Sequence, residues 1–131
     1  MKNSAARAFR RRKAHLQENS FLFFIDLEVF MKLINRGKEG EVMLEGRITA
    51  ENATELEKAL LSLVDRFEII TLNFRDVKYI SSAGLRVLKV LFVQMKKRSG
   101  EMKLKEVNEM IMEVFELTGF AGVFGLRRSD D

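Results

Sequence analysis

Two adjacent serines and a glycine in the segment YISSAGLRVLKV are the residues whose types and spacing best suit chemistry in this chain. Ser81 and Ser82 lie between a β-type run and a segment with helical periodicity, which places them at the exposed start of a predicted helix. A hydroxyl there can accept a phosphate, because the unpaired N–H groups and partial positive charge of a helix N-terminus favour negative charge. The segment would therefore tolerate a phosphate on Ser82, but from the spacing alone an ordinary N-cap at Ser81 is the simpler interpretation, because serine is common at helix starts.

Gly84 is the second unusual residue of this segment. It falls in the first turn of the predicted helix, where alanine would favour helix formation by about 0.8 to 1 kcal/mol. Two interpretations are open. The missing side chain lets a partner's backbone or a nucleotide's phosphates approach Ser82 closely, or Gly84 is a packing contact inside the fold.

Other catalytic devices are not indicated. The only histidine, His15, lies in a basic N-terminal stretch, the chain has no cysteine, and no serine–lysine or carboxylate pair is placed on opposing strand ends. The segment GKEGE is not a phosphate-binding P-loop, because its lysine is not followed by serine or threonine. We therefore expect a protein that is not an enzyme, with no metal site and no cofactor.

The charge distribution separates the first twenty residues from the rest. The formal net charge of the 131 residues is +4, but residues 1–20 contain six basic residues and one acidic residue, and the remainder is nearly balanced. The run ARAFRRRKAH could contact nucleic-acid phosphates or an anionic membrane surface. Because a single short basic run is usually solvated, we expect no specific nucleic-acid binding.

The apolar segments are too short for a membrane span. The longest, Phe21–Ile25, has five residues, whereas a helix crossing a bilayer needs about 20. Residues 1–20 also lack the apolar core of a signal peptide, so we expect a cytoplasmic protein. The segment FLFFIDLEVF, residues 21–30, is apolar enough to pack on the domain or on a second copy, which makes it a candidate homodimer contact.

Hydrophobic periodicity predicts one α/β domain with the element order β-β-α-β-α-β-α. The first two strands form a hairpin within residues 27–46, and Thr49 is the predicted N-cap of the first helix. The later elements are expected at residues 67–74 (strand), 82–98 (helix), 101–107 (strand) and from the N-cap Asn108 to Gly119 (helix).

Three motifs in the same order resemble one known family. LNFRDVKYISSAGLRVL, preceded by VMLEGRITAENATELEKAL and followed by EVFELTGF, resembles the STAS domain of bacterial anti-sigma factor antagonists over about residues 29–126. The resemblance implies a single STAS-like domain at residues 27–131, with a mixed, mostly parallel sheet of about four strands and helices. Residues 1–26 would then be a basic and Phe-rich N-terminal extension.

The resemblance also implies a function and a site. In this family an Asp-Ser-Ser/Thr-Gly-Leu segment carries a serine that is phosphorylated by a partner, which is both anti-sigma factor and serine kinase. The unphosphorylated antagonist binds that partner and frees the sigma factor, and phosphorylation breaks the complex. Aligning Gly84 and Leu85 with the family's Gly-Leu makes Ser82 the phosphoacceptor, and Gly46 and Gly119 match two further family glycines. The residues expected to dock the partner are Ser81, Ala83, Gly84, Leu85, Arg86, Thr49 and Asn73.

Several features depart from the family pattern. Thr49, Asn73 and Ser81 are uncharged where family members commonly have acids. Arg86 could steer an acidic partner or hold the phosphate, or it could be a solvated helix charge. An alternative function is therefore a STAS scaffold that is not phosphorylated, such as a subunit of a lipid-transport ATPase or of a stress-sensing complex.

Overall fold

Alternating side chains build the first hairpin, as the sequence predicts. In this computed structural model, which describes residues 20–126, β2 (Val29–Arg36) buries Val29, Met31 and Leu33 on one face. β3 (Glu39–Ile48) returns antiparallel beside β2. Gly37, with φ 79°, supplies the left-handed residue of the tight turn between them. The predicted hairpin is confirmed, with strands longer than the sequence pattern indicated.

A further strand, β1 (Ser20–Phe24), pairs antiparallel with β2 at the edge of the sheet. It raises the number of strands to five, in the order β1-β2-β3-β4-β5, whereas about four were predicted. The run FLFFI has no polar alternation, so its sequence did not distinguish a strand from a helix or a dimer contact. The domain boundary between residues 26 and 27 stays a prediction.

The other half of the sheet is parallel. β4 (Ile69–Ile80) is parallel to β3 on one side and to β5 (Glu101–Lys105) on the other. The α/β architecture with a mixed sheet that the sequence predicts is therefore confirmed. The sheet has two antiparallel and two parallel strand pairings, so it is not mostly parallel as predicted. At the carboxyl ends of β3 and β4 the chain passes into helices, as expected for parallel crossover connections.

Within residues 20–126 there are four helices: α1 (Ala53–Leu61), α2 (Ser82–Lys97), α3 (Glu109–Thr118) and the short α4 (Phe120–Val123). α2 and α3 begin where the sequence predicts, and the Asn108 side chain caps α3 by accepting a hydrogen bond from the Ile111 N–H at 3.0 Å. α1 begins at Ala53, so the prediction that Thr49 is its N-cap is wrong. The side chain of Asn52 turns back to the Thr49 N–H and holds this stretch as a turn.

The helices share one face of the sheet. Their buried side chains join those of β2, β3 and β4 in a single apolar cluster, in which Phe74 of β4 meets Phe115 of α3 edge to face with ring centroids 5.7 Å apart. The rigid sheet and the helices packed on it fix the loops at the carboxyl ends of the parallel strands.

Candidate phosphoacceptor and docking site

Ser81 lies between β4, which ends at Ile80, and α2, which begins at Ser82. Its N–H donates to the Ile48 carbonyl at 2.9 Å, which ties the end of β4 to the end of β3. Its hydroxyl accepts a hydrogen bond from the Gly84 N–H at 3.1 Å, so Ser81 is the N-cap of α2. The N-cap interpretation that the sequence left open therefore applies to Ser81 and leaves the hydroxyl of Ser82 for another role.

Ser82 is the first residue of α2, and it is exposed. Helix geometry leaves the N–H groups of Ser82 and Ala83 without intrahelical acceptors. No acidic residue occupies the first turn of α2. A negative group on Ser82 would therefore meet backbone donors and the positive end of the helix dipole, with no carboxylate in that turn to repel it.

Gly84 lies against the sheet and not on the surface. A Cβ added to Gly84 would come within 2.7 Å of both Ile48 Cγ2 and Ile80 Cγ1. The glycine thus lets the first turn of α2 sit closely on the ends of β3 and β4. This geometry favours the packing interpretation of Gly84, and the adjacent Leu85 is also buried, at 7% exposure.

The outward side of the same turn is formed by other residues. Ala83 is partly buried, whereas Arg86 is exposed one turn beyond Ser82. Positions four apart on a helix are neighbours on its surface, so the Arg86 guanidinium can reach a group carried by Ser82.

Asn52 organises the neighbouring loop after β3. Its side chain is almost fully buried and accepts from the Thr49 N–H at 2.9 Å, while its amide donates to the Arg47 carbonyl at 2.9 Å and to Asp26 Oδ1 at 3.3 Å. Thr49 is thereby held next to Ile48, whose carbonyl accepts from Ser81. The structure therefore brings Thr49 beside the start of α2, and sequence reasoning missed the role of Asn52.

Arg47 and Tyr79 form an exposed pair just before the ends of β3 and β4. Sequence reasoning also missed this pair. The two residues are register partners on β3 and β4, and the Arg47 guanidinium lies 4.5 Å from the centroid of the Tyr79 ring. Tyr79 is 41% exposed. Such a cation–π pair offers a partner both a flat apolar ring and a positive charge close to Ser81.

Asn73 is not brought to this site. It pairs in register with Met43 of β3, five residues before Ile48, which corresponds to about 16 Å along the strand. The Asn73 side chain is buried and donates to Glu106 Oε2 at 2.6 Å. Asn73 can therefore act on the start of α2 only through the strand that connects them.

The buried carboxylate of Glu41 lies outside the site. Burial of the Glu41 carboxyl would raise its pKa, but hydrogen bonds and charge from Lys105 and Arg36 outweigh burial and lower the pKa. The bonds are 3.3 Å to Lys105 Nζ and 3.0 Å to Arg36 Nε. This ion triad links β3 to β2 and β5 on the face of the sheet opposite the helices.

Residues 20–126 also include the groups that bear on metal binding and on membrane crossing. In this range no three or more acidic or histidine side chains are grouped as metal ligands, and every buried side-chain nitrogen or oxygen has a hydrogen-bond partner. None of the helices described is long and apolar enough to cross a bilayer.

Comparison with known proteins supplies the family. The family model described as STAS domain matches residues 32–130. A protein of Bordetella bronchiseptica named as an anti-sigma factor antagonist, BtrV, is 38% identical over 87 residues, which cover 66% of this chain and 75% of that protein. The anti-sigma-B factor antagonist of Bacillus subtilis is 28% identical over 86 residues, covering 66% of this chain and 79% of that protein.

Solved structures agree in fold. An anti-sigma factor antagonist from Mycobacterium paratuberculosis has a TM-score of 0.66 and 20% identity, covering 77% of this chain and 86% of its own. The Bacillus cell fate determinant SpoIIAA in its phosphorylated form has a TM-score of 0.59 and 14% identity, covering 72% and 86%. The chain therefore belongs to the STAS domain family, in its anti-sigma factor antagonist group, as the sequence motifs predicted.

Proposed function

We propose that this protein is a cytoplasmic anti-sigma factor antagonist without enzymatic activity of its own. In its unphosphorylated form it binds an anti-sigma factor that is also a serine kinase, and phosphorylation of Ser82 by that partner ends the complex. The protein thereby regulates transcription by a sigma factor. The proposal is supported by the relatives named above and by the position of Ser82 in the fold.

The main observation behind the proposal is that the two adjacent serines have different roles. The Ser81 hydroxyl is used inside the fold as the N-cap of α2, whereas Ser82 is exposed in the next position. Modifying Ser82 therefore changes the surface without removing the N-cap, so the fold of α2 can stay the same in both states.

The physical basis of the switch is charge. A phosphate adds about −1.5 to −2 charges and three acceptor oxygens to a surface that was matched to a neutral hydroxyl. In a desolvated interface the unpaired charge opposes binding by several kcal/mol, and about 1.4 kcal/mol corresponds to a tenfold change in affinity. We therefore expect phosphorylation to weaken the complex by at least about 100-fold.

This chain is uncharged at three positions where family members commonly have acids, and this difference affects recognition by the kinase. Thr49 and Ser81 lie together at the strand ends, so two of the three uncharged replacements border Ser82, while Asn73 lies farther along β4. Arg47 and Arg86 are both exposed and lie toward the same end of the fold. We infer that the partner presents an acidic surface complementary to these arginines, where the partners of other members meet carboxylates.

The test uses three single variants and the purified candidate anti-sigma factor. We expect Ser82→Asp to weaken binding about tenfold or more by calorimetry, because aspartate adds a negative charge at this position. Ser82→Ala should bind within about threefold of the parent, since a small neutral side chain is retained. Ser99→Asp is the matched control, because Ser99 is exposed beyond the opposite end of α2.

A second measurement tests phosphorylation directly. With ATP and the candidate kinase, mass spectrometry should find phosphate on Ser82 of the parent and none on Ser82→Ala. Equal binding by Ser82→Asp and the parent, or phosphate elsewhere only, would contradict the proposal. Co-purification with a lipid-transport ATPase in place of the kinase would support the scaffold alternative.

A further inference from the structure

The sheet has a second face, opposite the helices, whose surface is not that of an ordinary solvated sheet. Strand register places three half-buried apolar side chains on this face, Leu22, Ile34 and Met43. None of the three belongs to the core cluster or packs against it. The surface formed by these three residues and by the other side chains that the strand register places on the same side is called the second face. Those other residues are Phe24, Phe30, Lys32, Glu41, Glu45, Thr71, Asn73, Lys103 and Lys105.

Polar side chains on the second face are shielded from water. Glu41 and Thr71 are each 5% exposed, and Asn73 is 2% exposed, although all the helices described within residues 20–126 pack on the other face. Apolar side chains beside shielded polar groups are typical of a surface that another segment covers. The question is which segment covers it.

Residues 1–19 join the described structure at the edge of the second face. They lie outside the described residues, and the chain enters the structure at Ser20, which is the register partner of Ile34 on the second face. Nineteen residues span about 28 Å as a helix, and the five strands together span about 19 Å. The segment is thus long enough to cross the whole sheet.

Charge favours the same occupant. At the far end of the second face a cavity of about 360 Å³ is lined by the carboxylates of Glu28, Glu45 and Asp76 and by the ammonium group of Lys78. Asp76 also pairs with Arg75, at 3.6 Å between Arg75 Nε and Asp76 Oδ1. The group as a whole therefore carries three negative charges against two positive ones. Residues 1–20 carry six basic residues against one acidic residue, four of the basic ones in the run 10–13. That run precedes Ser20 by seven to ten residues, about 10 to 15 Å in a helix. The cavity lies about 16 Å from Ser20, measured along β1 and across two strand spacings. The basic run can therefore extend about as far from Ser20 as the cavity lies.

We propose that residues 1–19 dock on the second face of the sheet of their own chain, with the basic run 10–13 directed at the carboxylates of the cavity. Covalent linkage favours this occupant over a second copy, because a short tether gives an effective concentration in the millimolar range. The docked segment leaves the start of α2 free, so the two faces of the sheet have separate roles.

The experiment places a nitroxide on the full-length chain, which has no native cysteine. A label at Lys103→Cys lies on the second face, and a label at Lys89→Cys lies on the exposed side of α2 and is the matched control. We expect the label at Lys103→Cys to broaden the amide resonances of residues 5–16, with loss of their signal, and the label at Lys89→Cys to leave them sharp. Unchanged strand resonances verify that each variant is folded.

Charge reversal and mixing distinguish the other occupants. Reversing the run with Arg10→Glu, Arg11→Glu, Arg12→Glu and Lys13→Glu should lower the ratio of docked to undocked segment about tenfold and restore the signals. Broadening only when labelled and isotope-enriched molecules are mixed would identify a second copy as the occupant and overturn the proposal. So would sharp signals without lipid that broaden only on vesicles of phosphatidylglycerol, or equal broadening from both label sites.

Discussion

Replacing Gly84 with alanine separates the two interpretations of this glycine. If Gly84 were needed only for the approach of a partner, the alanine variant would be more stable by about 0.8 to 1 kcal/mol, because alanine is the better helix former. The structure predicts the opposite sign. The new Cβ would lie 2.7 Å from an atom of Ile48 and 2.7 Å from an atom of Ile80, both near the backbone and unable to swing away.

The magnitude follows from these contacts. Ordinary carbon contacts begin at about 3.4 Å, so α2 must move outward by several tenths of an ångström, and overpacking of this kind costs about 1 to 3 kcal/mol. After the gain in helix propensity, we expect Gly84→Ala to lower the free energy of unfolding by about 1 kcal/mol. For a domain of this size the melting temperature should fall by about 4 °C.

Urea denaturation followed by circular dichroism measures the effect. The control is Gly122→Ala in α4, where an added Cβ would meet no atom within 4 Å, so this variant should be neutral or slightly more stable. If Gly84→Ala were as stable as the parent, or gained as much as Gly122→Ala, the packing argument would be refuted. An accompanying loss of partner binding would then favour the approach interpretation.

Three further predictions concern residues that stabilise the fold. The pKa of Glu41 is lowered in the folded protein, so its ionised form stabilises the fold at pH values above its ordinary pKa of 4.5. This contribution is lost as the pH falls through the lower folded pKa. Glu41→Gln should therefore lower the free energy of unfolding by about 1 to 2 kcal/mol at pH 7 and flatten the acid limb of a stability–pH profile. Ser81→Ala should cost about 1 kcal/mol in urea denaturation through loss of the N-cap bond. Gly46→Ala should yield little folded protein by NMR, since the added Cβ would lie 2.0 Å from the Glu28 carbonyl oxygen and the backbone has φ +110°. Gly37→Ala is also strained in φ, but its Cβ would meet no atom within 4 Å, so it should lower the free energy of unfolding by only about 1 to 2 kcal/mol.

The sequence predicted those parts of the site that depend on local chemistry. The helix start at Ser81 and Ser82 follows from residues within one turn of each other, and so does the cap of α3 at Asn108. The role of Gly84 depends on Ile48, which lies on another strand, so only the assembled sheet shows it.

The parts that the sequence did not predict depend on long-range pairing. The sequence of β1 does not indicate its structure, because its apolar run has no alternation to show which side faces the core. The role of Asn52 is only partly local, because its partner Asp26 precedes β2 and reaches it through the β2–β3 pairing. Arg47 and Tyr79 become neighbours only through the parallel register of β3 and β4.

The bond between the Ser81 N–H and the Ile48 carbonyl has a consequence for the order of folding. The β2–β3 hairpin closes over a two-residue turn and can form in microseconds, but the Ser81 bond needs the whole crossover through α1 to be in place. We expect the junction that carries Ser82 to be among the last parts of the molecule to assemble. A nascent or partly unfolded chain would then lack the surface that we propose for binding the anti-sigma factor, so only fully folded molecules would bind it.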